Sequence, residues 1–174
     1  MTAEGHRPET RTPDLAGRPF ALKVERLISS SPAALYRAWT TGIDLWFAAP
    51  GSVSMEPRVS APFFFETEFK PEGAPAAQRH PHYGRFLRLI DNELIEMTWV
   101  TGAGGTDGAE TIVTVDLKLQ GGCTRLDLEH RGFATEAARD RHRDAWPAVL
   151  AQLDRRIGSA AAQGDELAPT PSVK

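Results

Sequence analysis

Three places in the chain carry side chains of a type and spacing that could do chemistry. His80-Pro81-His82 sets two imidazoles two positions apart, which in an extended segment puts both on one side. That pattern begins a metal site, but no Cys or carboxylate stands at a convincing third-ligand spacing, so a solvated loop without metal is the expectation. His142, with Glu136 and Asp144 nearby, could be drawn as an acid/base group. No Ser or Cys nucleophile sits in a recognisable setting beside it. Arg26 and His130 are more informative, because each falls on the apolar parity of an alternating segment and is expected to point inward near one end of its strand.

Burying either Arg26 or His130 unpaired would be costly. In a functional reading the two hold the polar end of a ligand, with His130 able to change charge near neutral pH. The structural alternative pairs Arg26 with a carboxylate and has His130 cap a backbone group at a sheet edge. Other constellations are weaker. GAGGTDG, from Gly102 to Gly108, lacks the strand-to-helix setting and the Lys-Ser/Thr ending of a phosphate loop, and reads as a hairpin connection. Arg139, Arg141 and Arg143 alternate with Asp140 and Asp144, a solvated helix face rather than a nucleic-acid patch. Cys123, the single cysteine, excludes an intramolecular disulfide and reads as exposed and unreactive.

The elements that must position these groups are mostly strands. Phe20, Leu22, Val24 and Ile28 alternate with Lys23 and Glu25. Ser31 then caps a helix with Pro32 at its first position, and Leu35, Tyr36 and Trp39 supply the apolar face. A short helical turn covers 43–47. Val53, Met55 and Val59, then Phe63, Phe65 and Phe69, read as two strands joined across 60–62. The proline- and alanine-rich stretch 71–81 reads as a loop. Strands at 83–90 and 94–100 flank an Asp91-Asn92-Glu93 turn. Val113, Val115, Leu117 and Leu119, then Leu126, Leu128 and His130, form the clearest pair, joined at Gly121-Gly122.

A long helix over 133–157 closes the chain. Ala138, His142, Ala145, Trp146, Val149, Leu150, Leu153 and Ile157 recur every three or four residues and keep one stripe on one side. With no second long helix, its partner must be the sheet. The expected fold is α+β: a curved antiparallel sheet of about six to seven strands wrapped around the C-terminal helix, with two short helices after the first strand. Pro147 predicts a kink or break near 143–147 or a restart capped by Asp144, since an interior proline removes a backbone hydrogen bond.

Composition bounds the function. The chain has 174 residues and a formal charge of −3, which gives no overall attraction to nucleic acid or to an anionic membrane. One domain over 19–158 is expected, with disordered tails at 1–18 and 159–174 that hold little to bury against ordering entropy. No leader or long apolar run is visible, so a cytoplasmic protein without membrane insertion is the expectation.

At this point the residues carry a resemblance. LKVERLISSSPAALYRAWTTGIDLWF resembles the opening strand, helix and tryptophan-bearing turn of the START-like, SRPBCC proteins, in the branch of the activator of heat-shock protein 90 ATPase homologues. ETIVTVDLKLQGGCTRLDLEHRGF, with HRDAWPAVLAQL behind it, is similar to that branch's final hairpin and closing helix. The resemblance covers most of 20–157 and rests on the order of several loose motifs. Val59-Ser60-Ala61-Pro62 departs from the glycine pair frequent in the family, and Asp144-Ala145-Trp146 from the glycine before the closing-helix tryptophan.

The resemblance implies the helix-grip fold of birch-pollen-allergen-like proteins and a cavity for a small hydrophobic molecule. Its expected lining is Arg26, Trp46, Phe47, Phe65, Phe86, Trp99, Leu117, Leu128, His130, Trp146 and Leu150, most of which also serve as core. No catalytic residue, cofactor or metal is expected. The leading expectation is a non-enzymatic binding module for transport, sequestration or sensing. Two alternatives stay open: a small cyclase or hydrolase using Arg26, His130, Tyr83 or Glu66, and a chaperone-associated module. The expected partner is a small hydrophobic molecule; a homodimer is compatible with the chain, and a chaperone is implied by the family name alone.

Overall fold

The computed structural model describes residues 10–158. Of the tails expected at 1–18 and 159–174, residues 1–9 and 159–174 lie outside the described residues. Between them, an antiparallel sheet of six strands runs in the order β1-β6-β5-β4-β3-β2, where β1 is Phe20–Ile28, β2 Pro62–Phe69, β3 Gln78–Ile90, β4 Leu94–Thr101, β5 Thr111–Gln120 and β6 Cys123–Phe133. Helix α1 (Pro32–Thr40) and a 3₁₀ turn at Ile43–Leu45 follow β1, and helix α2 (Glu136–Leu153) closes the chain with a π turn at Asp154–Gly158. This is the expected helix-grip architecture.

Strand parity built it. In β5 and β6 the buried residues Val113, Val115, Leu117, Leu126, Leu128 and His130 alternate with more exposed polar ones. Their register places Val115 beside Leu128 and Leu117 beside Leu126, so one face of both strands is continuous. A β-bulge between Phe86 and Arg88 bends β3. Helix α1 starts as its sequence predicts: the Ser31 hydroxyl accepts from the Ala34 N–H at 3.1 Å, with Pro32 at the first turn.

Three expectations are corrected. Residues 53–59 form no strand; Ser54 and Val59 make only isolated bridges, to Phe64 and Phe86, because apolar spacing without a neighbouring ladder does not suffice. The loop expected over 71–81 is shorter, since β3 already begins at Gln78. Pro81 pairs with Glu66 of β2 but lies beyond the β3–β4 register, which starts at His82 and Thr101. That part of β3 has one partner strand, the setting in which a strand tolerates proline.

The third correction is at the closing helix. It begins at Glu136 rather than at 133, with the Thr135 hydroxyl accepting from the Ala138 N–H, and runs without a break or restart past Pro147. Pro147 is exposed, and on the solvent side water replaces a lost backbone bond. The buried stripe is Ala138, Trp146, Leu150 and Leu153, continued by Ile157. These residues join the sheet's inner side chains and Trp39, Trp46 and Phe133 in one core.

The described residues ahead of β1 lie on this body. Leu15 covers Gly132, where an added Cβ would meet its Cδ2 at 2.7 Å. Arg18 donates to the Glu110 carbonyl at 2.9 Å.

Candidate functional site

Sequence alternation brings His130 to the inner face of β6, and there it is fully buried. Trp146 of α2 donates its Nε1–H to His130 Nδ1 at 3.1 Å. Since Nδ1 accepts, the ring proton sits on Nε2, which faces Thr111 Oγ1 at 2.7 Å. The Thr111 hydroxyl in turn donates a hydrogen bond to the Trp99 carbonyl at 2.5 Å. Every polar atom of the imidazole is satisfied in the neutral form. Burial, reinforced by nearby His142, holds its pKa well below the ordinary histidine value. It does not cap a backbone group at a sheet edge, because β6 lies between β1 and β5.

Arg26 does pair with a carboxylate. Its guanidinium donates to Asp154 Oδ2 at 3.1 and 3.3 Å, while Asp154 Oδ1 accepts from the Ser29 N–H. Leu126 faces Arg26 across the ladder and Leu22 faces His130, so four residues of β6, about 13 Å, separate the two groups. They do not share one site. Of the other groups named for acid/base work, Glu66 is paired with Arg79 at 2.9 Å and Tyr83 is half exposed.

The aromatic side chains expected as lining are brought together, and they pack on one another. Phe47 stacks on Trp46 and Trp99, with centroids at 5.2 and 6.2 Å, and meets Phe65 edge-on at 5.7 Å. Trp99 lies 5.7 Å from Trp146, and Phe86 lies 5.5 Å from Phe63. Trp46, Phe65, Phe86, Trp99, Leu117, Leu128, Trp146 and Leu150 are all buried members of the core, and Phe47 is half-buried against it. The Trp46 carbonyl accepts from Gln152 of α2.

Where this layer approaches the surface, between β2–β3, the loop after β4 and α2, lies an open depression of about 480 Å³. Its wall is Thr67, His80, Pro81, His82, the segment from Thr101 to Gly105, and His142. The row Phe65, His82, Thr101 crosses three adjacent strands. His82 is 8% exposed: its ring stacks on Phe65 at 4.8 Å and stands edge-on to Trp99 at 5.1 Å. His142 stands edge-on to His130 at 4.9 Å. Both depression histidines are therefore the outer skin of the aromatic core.

Both are also neutral acceptors. His82 Nδ1 lies 2.9 Å from the His80 carbonyl and His142 Nδ1 lies 2.8 Å from the Ala138 carbonyl. A carbonyl only accepts, so each Nδ1 carries the proton and each Nε2 keeps its lone pair. Burial lowers the His82 pKa to about 4, against the raising effect of the His80 carbonyl, and His80 and His142 push the same way as burial. The His142 pKa is lowered too, first by burial and then by Arg141, against the Ala138 carbonyl and Asp107.

The opposite wall is a braced loop. Thr101 and Thr106 exchange hydrogen bonds: Thr106 Oγ1 accepts from the Thr101 N–H at 2.9 Å, and Thr101 Oγ1 from the Thr106 N–H at 2.7 Å. Arg141 of α2 donates to the Gly104 and Gly105 carbonyls at 3.0 and 3.1 Å and pairs with Asp107 at 3.1 Å. Arg139 and Arg143, expected with Arg141 on a solvated helix face, instead both pair with Asp140.

Sequence reasoning missed His82, His142 and Arg141 as a unit. It read His80-Pro81-His82 as solvated loop, whereas His82 is in a strand and nearly buried. Among the described residues no group of three His, Cys, Asp or Glu is arranged to hold a metal ion. A hollow of about 450 Å³ bordered by Lys23, Glu25, Arg125, Asp127 and Glu129 is walled by ion pairs, such as Arg125 with Glu25 at 2.6 Å, a solvated face. Among the described residues no helix is long and apolar enough to cross a membrane.

Comparison with known proteins places this geometry in a context. The family model described as Activator of Hsp90 ATPase homolog 1-like protein matches residues 29–158. No curated protein sequence gives a significant match. Among solved structures, a protein from Chromobacterium violaceum is similar with a TM-score of 0.65 at 23% identity, over 80% of this chain and 99% of that one. An AHSA1-like protein from Aeromonas hydrophila gives 0.60 at 19%, over 88% and 100%. The Aha1 dimer from Colwellia psychrerythraea gives 0.55 at 18%, over 80% and 98%.

Proposed function

The chain belongs to the family of Activator of Hsp90 ATPase homolog 1-like proteins, and from that premise we propose that it is a binding module, without catalysis, for a small and mostly apolar molecule. Transport, sequestration or sensing are the roles such a module serves. The observation that carries this reading is the depression of about 480 Å³ at the junction of sheet, loop and α2. A solvated wall of that shape is a mouth in the sense that ligand sites are: concave, backed by aromatic side chains, with a few placed polar atoms.

Phe65 and Trp99 lie directly behind His82, with Phe47 in contact with all three. A ligand seated in the depression would meet the His82 ring itself, with that layer directly behind it and Trp46 and Trp146 deeper still. In this reading Phe47, Phe65 and Trp99 are the apolar backing of the wall, while Phe86, Leu117, Leu128, His130 and Leu150 hold the sheet and helix in place. Arg26, tied to Asp154, does the same at the far end.

Native mass spectrometry of protein purified from its source is the test. The expected result is a non-covalent adduct of small-molecule mass that is lost on gentle activation. Protein free of adduct, with no thermal shift across a panel of small aromatic and aliphatic molecules, would remove the binding reading. A chaperone retained in place of a small molecule would favour the surface-interaction alternative. The Colwellia psychrerythraea structure is of a dimer, and self-association of this chain, proposed on that likeness, is read from the same spectrum.

A further inference from the structure

The polar atoms of the depression specify its ligand more narrowly than its apolar backing does. His82 and His142 are both on its wall, and both spend Nδ1–H on a backbone carbonyl. The Nε2 of each has no hydrogen-bond partner among the described residues. A neutral imidazole held in this way is an acceptor and nothing else. Two rings on different elements, one on β3 and one on α2, thus wall the same hollow with their Nε2 lone pairs uncommitted.

The arginines of the surrounding elements, which would attract a carboxylate, are otherwise engaged. Arg141 is spent on the Gly104 and Gly105 carbonyls and on Asp107, Arg79 on Glu66, and Arg139 on Asp140. His82 and His142 do not substitute as cations at neutral pH, because burial holds both below the ordinary histidine range. An anion entering the depression would find uncommitted acceptors on its wall and no free arginine beside it, an arrangement that disfavours it. A hydroxyl or N–H would instead find acceptors that are already oriented, with no tautomer change required.

Building on the binding reading above, we infer that the depression selects uncharged ligands that carry hydrogen-bond donors, hydroxyl or N–H groups on an apolar body, and discriminates against carboxylates of the same shape. His82 and His142 are the specificity-determining residues. Their Nε2 atoms accept; the His82 ring, backed by Phe65 and Trp99, supplies the apolar part of the affinity.

The experiment uses three probes that share one aromatic body: 1-naphthol, 1-naphthoate and naphthalene, titrated into the full chain at about pH 7.5 and followed by tryptophan fluorescence. At that pH naphthol is neutral and naphthoate is charged. Naphthol is expected to bind about tenfold more tightly than naphthalene, and naphthoate no better than naphthalene. His142→Phe and His82→Phe, each checked for folding by circular dichroism, are expected to bring naphthol and naphthalene to equal affinity within each variant, whatever the change in naphthalene binding itself. His142 is the less buried of the two, so its variant carries the test if His82→Phe does not fold. Equal binding of all three probes, or a preference that survives both variants, overturns the donor selectivity while leaving a pocket. Failure of all three to bind overturns the pocket reading and the selectivity with it.

Discussion

Trp146 Nε1 and His130 Nδ1 are joined by a hydrogen bond of 3.1 Å that crosses from α2 to the middle of the sheet. The bond does two things at once: it satisfies the indole donor in a buried position, and it fixes the imidazole tautomer that allows the link onward through Thr111 to the Trp99 carbonyl. It ties the closing helix to β4, β5 and β6 at one point. The role is structural, and it explains a histidine on an apolar parity without invoking a ligand.

A double-mutant cycle measures that tie. His130→Leu leaves the Trp146 N–H buried without an acceptor and opens space in the core, and is expected to lower stability by about 2–4 kcal/mol. Trp146→Phe removes the donor and keeps an aromatic ring. The pair is expected to be coupled by about 1 kcal/mol in urea unfolding. Strict additivity of the two single changes would show that the bond contributes nothing.

The buried histidines also set a pH dependence. A histidine whose folded pKa lies below its unfolded value stabilises the fold above the unfolded pKa and loses that contribution as pH falls through the folded one. His82 drops from 6.5 to about 4, and His130 and His142 are displaced in the same direction. Stability is therefore expected to be full above the ordinary histidine pKa and to decline toward pH 4, with His82 alone accounting for about 3 kcal/mol. Urea midpoints across this range, for the wild-type chain and His82→Phe, isolate the term. Parallel profiles for the two proteins would contradict it.

How far the sequence carried depends on how local each signal was. Alternation in β5 and β6 and the Ser31-Pro32 start of α1 depend on near neighbours, and both were legible. His82 was not, because Pro81 beside it argues for a loop, and only the ladders with β2 and β4, where Phe65 and Thr101 face His82 from seventeen and nineteen positions away, make that segment a strand. Val53, Met55 and Val59 erred the other way, showing strand spacing where no ladder was on offer. Arg141 looked like its neighbours Arg139 and Arg143. Its acceptors sit in a loop thirty-six and thirty-seven positions away. The fold was thus readable from periodicity, whereas the wall of the depression is assembled from contacts that no spacing rule encodes.

That wall provides a last, sharply bounded expectation. An added Cβ at Gly105 would lie 2.0 Å from Thr101 Oγ1, the atom that accepts from the Thr106 N–H. At Gly102, in the same loop, an added Cβ meets nothing within 4 Å. Gly105→Ala must therefore drive the Thr101 side chain from its place and break the exchange with Thr106, a cost of about 1–3 kcal/mol, whereas Gly102→Ala is expected to stay within about 0.5 kcal/mol of wild type. Hydrogen exchange should report faster turnover of the Thr101 and Thr106 amides in the Gly105 variant alone. Arg141→Ala, which frees the Gly104 and Gly105 carbonyls without touching the threonines, is expected to loosen the loop's outer half and to weaken naphthol binding while leaving the Thr101 and Thr106 amides protected. Equal exchange in the two alanine variants of the loop would mean that Thr101 is not what holds this wall in place.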